Sequence, residues 1–418
     1  MSSVKVIRGG LLIDGTGKDP LEDSVIVIEN SRIGVIGVEG MVNVPQGEVI
    51  DAHGKTVIPG LIECHAHTTL SGQPDISASM LEPVPLTAIR AVKNLRQYLE
   101  AGYTTVRDCG APEGIDIAMR KAVEQRLVEG PRLFVCGRAI SITGGHGDFY
   151  LPNSLIPVPH SIGVLADGSN QVRRAAREQL KLGADWIKLM ASAGLASPGD
   201  TPVIGAPQLT TDEIRAACDE AHKLGRRVCA HAIGTESIKN AVMGGVDTIE
   251  HGTMMDEEAI RMIKEKNRFV IFGSIKGVKL IQTRGVEEGV PEHIVKKAKT
   301  AISYKEMQQK CLHLAKAGVK VAPGSDAGCP LNIHGENAQE LEMWVEAGFS
   351  PMETMVATTK TASEALGVND RLGTVELGKL ADIVIIDGNP LDNISVLQVK
   401  HRIRMVLKGG EIVIDRKT

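Results

Sequence analysis

The sequence predicts an α/β protein: a (β/α)8 TIM barrel carrying a small β-sandwich assembled from both chain ends. Three observations carry that expectation. Eight short apolar runs alternate with amphipathic stretches through the middle of the 418-residue chain, the arithmetic of eight strand–helix units. The two ends instead read as short strands between Gly, Asn and Asp turns, and neither end has enough strands to enclose a core alone. Glycine is frequent, at 45 residues, while aromatics are only 3%, which suits many tight strand-to-helix turns around a core of Val, Ile, Leu, Ala and Met. The expected division is a discontinuous sandwich, residues 1–57 and 366–418, around a barrel of residues 58–365.

At the amino end, VKVIRGGLLID, DSVIVIENSRIGVIG and EVIDAHG alternate apolar and polar positions. The eight barrel runs are then VIPGLIECHAH (57–67), TTVRD (104–108), RLFVCG (132–137), WIKLMAS (186–192), RVCAHA (227–232), DTIEHG (247–252), FVIFGS (269–274) and VKVAPGSD (319–326). Between them, residues 212–225 place apolar side chains at 214, 217, 221 and 224, a helical spacing, with Thr211 as the expected cap. Residues 114–130 and 171–183 also read as helices ending in glycine. At the carboxyl end, GTVELGKLADIVIIDG and HRIRMVLKGGEIVID read as strands and hairpins. An open doubly wound sheet is the alternative, but no Gly-rich phosphate loop follows an early strand. The connections at 138–170 and 193–210 are too long for plain turns; both follow strands and belong over the C-terminal face, where barrel active sites lie.

Composition narrows the function classes. Hydrophobic residues are 43%, charged residues 23% and the net charge is −4 without long runs of one sign, so neither nucleic acid nor an anionic membrane is an expected partner. No apolar run approaches the roughly 18 residues of a bilayer helix, and the first residues lack a charged-then-apolar leader pattern. Seven scattered cysteines without CxxC spacing fit reduced thiols, so a cytoplasmic protein with a small-molecule substrate is expected.

The chemistry lies at the strand ends. His65 and His67 are two residues apart, so an extended backbone points both to one side. An isolated HxH can be two ordinary polar residues, but His231, His251 and Asp326 end three further runs. Imidazoles and a carboxylate converging there point to a transition-metal site; Zn2+ suits it, with Mn2+, Co2+ or Fe2+ as alternatives. Lys188 lies within WIKLM, where a bare buried ammonium is costly. It is either paired with a carboxylate or converted by CO2 to a carbamate that bridges two metals; burial favours the neutral amine that reacts.

The order HxH, Lys, His, His, Asp resembles the binuclear amidohydrolase superfamily, and GKTVIPGLIECHAH, AGYTTVRDCG, GADWIKLMASAG, TIEHG, PGSDAG and GKLADIVIIDGNPL agree over essentially the whole chain. RLFVCGRAISITGGHGD is similar to the prolidase-like and Xaa-Arg/Lys dipeptidase-like group, neighbours of imidazolonepropionase. The resemblance implies two divalent ions, taken as Zn2+. His65, His67 and Asp326 would hold the more buried one and His231 and His251 the other, with carbamylated Lys188 between them. It also implies hydrolysis of a C–N amide bond by a metal-bridging hydroxide, in a dipeptide or N-acyl amino acid, by a homo-oligomer. Asp326 would move the proton, and His146 in GGHGD would donate to the carbonyl oxygen or to a substrate carboxylate, unless it serves only local loop bonds. Arg138, Ile233 and His334 are further candidate substrate contacts, His334 with a helix cap as its alternative.

Two departures keep rivals open. A mononuclear deaminase or imidazolonepropionase-like hydrolase would carry a glutamate three residues after the fifth-strand histidine, where this chain has Gly234. Dipeptidase relatives often have a tyrosine where Ile233 stands, so a cyclic amide, carbamate, aryl amide or lactone is the alternative substrate. A scaffold without activity is the rival from another class, and the full ligand set argues against it. His53, His160, His222, His293, His313 and His401 lie away from the strand ends, and Arg107 with Asp108 is expected to be a structural ion pair.

Overall fold

The computed structural model describes residues 4–150, 156–197 and 203–416. Parts of the two long connections, at 151–155 and 198–202, lie outside the described residues.

All eight expected barrel runs form strands. In chain order they are Leu61–Ala66, Tyr103–Asp108, Arg132–Val135, Trp186–Met190, Arg227–Ala232, Thr248–His251, Phe269–Gly273 and Lys320–Gly324, called strands one to eight below. Neighbours run parallel, as helical crossovers require. Strand three breaks at Cys136–Arg138 and resumes as Ala139–Ser141, and this second part, through Ile140, pairs with Leu189 of strand four. Strands eight and one meet at their C-terminal ends, where Asp326 donates its N–H to the His65 carbonyl at 2.8 Å and His67 donates to the Ala327 carbonyl at 2.9 Å.

Two apolar layers follow from the strand pattern. One side of the strands packs on the helices through residues such as Ile187, Leu189, Val228, Ala230, Ile249 and Val270. The barrel interior holds smaller residues, among them Cys64, Cys109, Cys136, Cys229, Ile271 and Ala322, together with Trp186. Ala362, Ala365 and Leu366 of the helix Ala362–Leu366 close it from below. The helix Thr211–Lys223 is capped by Thr210 rather than by Thr211. Thr210 Oγ1 accepts from the Glu213 N–H at 3.3 Å while the Glu213 carboxylate takes the Thr210 N–H at 2.8 Å. That reciprocal pair needs an acid three residues after the cap, a spacing only Thr210 satisfies.

The chain ends meet in a second sheet, of eight strands. The C-terminal strand Ile383–Ile386 lies antiparallel to Thr56–Pro59 and carries Ile403–Lys408 and Glu411–Asp415 on its other side. Val4–Leu12 joins three neighbours: Leu21–Glu29 antiparallel, and Glu48–Asp51 and Thr56–Pro59 parallel. Both chain ends therefore contribute to one hydrogen-bonded sheet, with Glu48–Asp51 branching from Val4–Leu12. Ile7, Ile26, Ile33, Val57, Ile383 and Leu407 form its apolar core.

Candidate metal centre and active site

Strand ends place the ligand-type side chains. His65 and His67 leave strand one, Lys188 lies in strand four, His231 in strand five, His251 ends strand six, and Asp326 follows strand eight. All six line one cavity at the C-terminal face. Asp326 Oδ1 lies 3.4 Å from His67 Nε2 and 3.6 Å from His65 Nε2, and Lys188 Nζ lies 3.3 Å from His65 Nε2. His251 is packed between His65 and His231, with ring centres 5.1 and 4.8 Å away. The ligand atoms of His65, His251 and Asp326 lie within 4.8 Å of one another, close enough to share one ion.

The backbone is unusual here. His251, Ser274 and Asp326, at the ends of strands six, seven and eight, have φ of 72°, 63° and 61°, the left-handed region non-glycine residues avoid. Such strain persists where the surroundings over-determine it. Asp326 is held by Ser274 Oγ, donating to Oδ2 at 3.1 Å, and by the Cys329 thiol at 3.3 Å from Oδ1.

The charge pattern suits cation ligands. Burial pushes the Asp326 carboxyl up, but His65, His67 and His251 around it hold it well below the usual carboxylate range. Burial, then His65, takes His251 down to about 3, and burial with His146 and His251 takes His231 well below its ordinary value, so both imidazoles are neutral lone-pair donors. Lys188 departs from the expected lowering of its pKa by burial. Burial does work against its charge, but Cys109, Cys229, Glu250 and Asp326 outweigh it and raise the ammonium's pKa. Positive charge brought close to Lys188 would favour the neutral amine that reacts with CO2.

The donor set fits a metal. Among the described residues His231 Nε2 is buried without a hydrogen-bond partner, a costly state for a ring nitrogen that a bound cation would relieve. Imidazole and carboxylate donors suit Zn2+ and its neighbours.

The other candidates separate. His146 lines the cavity, stacks on His231 with ring centres 4.2 Å apart, and its Nδ1 meets Ser197 Oγ at 2.9 Å. Gly194 lies against both rings; a Cβ there would sit 2.8 Å from each, so only glycine lets the chain pass. Ile233 also lines the cavity. Arg138 is not among the lining residues; its guanidinium donates to the Gly163 carbonyl. His334 neither caps a helix nor reaches the cavity, because its Nδ1 meets the Tyr98 hydroxyl at 2.8 Å and its Nε2 the Leu70 carbonyl at 3.0 Å. Arg107 and Asp108 are not an ion pair. Adjacent strand residues face opposite ways: Arg107 enters the barrel toward Glu250, while Asp108 accepts from Thr68 and Gly110. Glu250, Ser274 and Ser197 were not anticipated from sequence. The signal for Glu250 was available, a carboxylate inside a four-residue buried strand.

Residues 56–413 match the Amidohydrolase family. The chain belongs to the amidohydrolase family. Members of this family generally use metal ions, and the chain is a hydrolase. This amidohydrolase is 32% identical to ochratoxinase of Aspergillus niger, over 98% of the chain and 87% of that protein. Among solved structures, it is 35% identical to a prolidase complexed with N-methylphosphonate-L-proline, with a TM-score of 0.91 and coverage of 99% of this chain and 100% of that one. A Xaa-Pro dipeptidase with bound methionine in its active site is 32% identical, with a TM-score of 0.89 and coverage of 98% and 99%.

Proposed function

We propose that this amidohydrolase cleaves a C–N amide bond in a dipeptide or N-acyl amino acid with apolar flanks, using two divalent ions, taken as Zn2+. The observation that carries this reading is the convergence of six ligand-type side chains on the floor of one apolar cavity. His65, His67 and Asp326 would hold one ion and His231 and His251 the other, with Lys188, as a CO2-derived carbamate, between them. When bound, the ions would lower the pKa of a water and polarise the scissile carbonyl.

The protein's own groups then have distinct tasks. The Asp326 carboxylate, kept ionised by the histidines and aimed by Ser274, accepts the proton of the attacking water and passes it to the leaving nitrogen. Burial, then His251 and Lys188, takes His146 down to about 3, so it serves as a neutral hydrogen-bond donor to the carbonyl oxygen or a substrate carboxylate, not as a cation. Ile76, Phe149 and Ile162 on one wall and Val278, Ile281 and Ile294 on another exclude water and favour apolar groups. Likeness to the prolidase and the Xaa-Pro dipeptidase supports a dipeptide substrate, and likeness to ochratoxinase supports amide hydrolysis. A homo-oligomer in a reducing cytoplasm belongs to the same reading.

A second reading has its own support. Among the described residues lining the cavity there is no arginine and no lysine besides Lys188, so a charged clamp for a carboxylate is not evident there. An apolar aryl amide, carbamate, cyclic amide or lactone fits such a wall. The deciding comparison pairs dipeptides and N-acyl amino acids with their C-terminal amides on the zinc-loaded enzyme. The first reading expects the free acid to be favoured about tenfold or more, the worth of one charge-assisted hydrogen bond. Equal kcat/KM hands the site to the second.

A further inference from the structure

Beneath the ligand cluster lies a fully buried polar chain that neither reading uses. His65 Nδ1 meets Glu250 Oε2 at 2.9 Å. Both Glu250 oxygens accept from Arg107 Nη2 at 2.7 Å. The remaining arginine donors are also engaged, Nε by the Cys64 carbonyl at 2.7 Å and Nη1 by Thr248 Oγ1 at 3.1 Å, and the guanidinium carbon lies 4.6 Å from the Trp186 ring centre. Thr248 Oγ1 in turn donates to Glu250 Oε1 at 2.5 Å. Arg107 and Glu250 are 0% exposed.

A buried ion pair is a poor device for stability. Desolvation offsets its attraction, and well-packed apolar residues often replace one without loss. The barrel interior also holds Ile, Cys, Ala and Trp side chains, so an apolar solution was at hand. What the pair does supply is a fixed negative acceptor behind one particular imidazole. An acceptor at Nδ1 keeps the proton there and leaves the Nε2 lone pair facing Asp326 and Lys188. The neighbouring candidate ligand is held differently: His67 Nδ1 meets the neutral Gly110 carbonyl at 3.0 Å.

We infer that Glu250, itself fixed by Arg107, is the positioning residue for His65, setting its tautomer and ring orientation. The inference rests on the proposal that His65 binds metal. Carboxylates behind ligating histidines have this effect generally, and their loss typically costs about 10–100-fold in metal affinity.

The test uses the full chain, stripped of metal and reloaded with zinc against a competing chelator. In Arg107→Met/Glu250→Leu the charges leave together, so no buried ion is orphaned. The expected result is wild-type circular dichroism, one of two zinc ions held about 10–100-fold more weakly, and a displaced His65 Nδ1–H signal in the 15N spectrum of the zinc-loaded protein. A purely structural pair would move only the melting temperature. Should the double variant not fold, Glu250→Gln, which keeps volume and a neutral acceptor, is measured the same way and expected at the lower end of that range. Unchanged zinc affinity with an unchanged His65 spectrum in the folded variant overturns the inference. Failure of the wild-type chain to take up zinc would instead overturn the metal reading beneath it.

Discussion

Asp326 holds a strained backbone, two donors and two nearby imidazoles at once, and its proposed task needs only the carboxylate's basicity. Asp326→Asn preserves the shape while removing the proton acceptor. It should keep most bound metal and lose about 10²–10⁴ in kcat, read by steady-state turnover beside elemental analysis; near wild-type turnover would remove Asp326 from that role. Lys188→Ala should lose nearly all activity and regain part of it with acetate or propionate, whose carboxylate can stand where the carbamate would. No recovery at any concentration speaks against carbamylation. The six ligand-type residues were legible because a period of two and the strand ends fix where a side chain points. Their supports were not, since Arg107 and Glu250 are 143 residues apart and meet only across a closed barrel. Strand alternation alone separates Arg107 from Asp108, since neighbours in a strand face opposite ways.

At the scale of elements, the strand ends and the helix pairs make separate predictions. Ser274 spends its left-handed φ of 63° on aiming one hydroxyl at Asp326. Ser274→Gly removes about 1 kcal/mol of backbone strain and that hydrogen bond together. It should melt no lower than wild type yet turn over more slowly; lower stability with unchanged rate would contradict this account. Glu220, on the helix Thr211–Lys223, takes Arg177 Nε at 2.9 Å and Arg173 Nη1 at 2.6 Å from the helix Ser169–Leu182. Arg177 first, then, against burial, Arg173 and Lys223 bring its carboxyl down to about 2. A folded value below the unfolded one stabilises above roughly pH 4.3 and is lost as the pH falls toward the folded value. Glu220→Gln should therefore cost about 1 kcal/mol at pH 7, with the melting difference from wild type closing between about pH 4 and 2. A difference that persists in acid would point to packing instead. These helices were legible from apolar spacing, but their charged ties were not, because the sequence does not say which helices become neighbours.

For the molecule as a whole, sequence periodicity carried the eight strands and the pairing of the two ends, since a run too short to bury a core must find its partner elsewhere. It could not show that Val4–Leu12 would join three strands into a continuous sheet, because pairing partners are a tertiary matter. Nor could it show how the barrel closes. Strands eight and one are joined near their ligand-bearing ends, through the amides of Asp326 and His67 and the Glu63 carboxylate, which accepts from Ser325. A barrel is a hoop, and this one is buckled where its chemistry sits. Ions shared by His65, His67 and Asp326 would act as the pin of that buckle, so stripping them should loosen the hoop at one place before any other. Hydrogen exchange at the Asp326 and His67 amides should then accelerate on chelation well ahead of the amides between strands five and six, and uniform acceleration around the ring would mean that the closure bears no special strain.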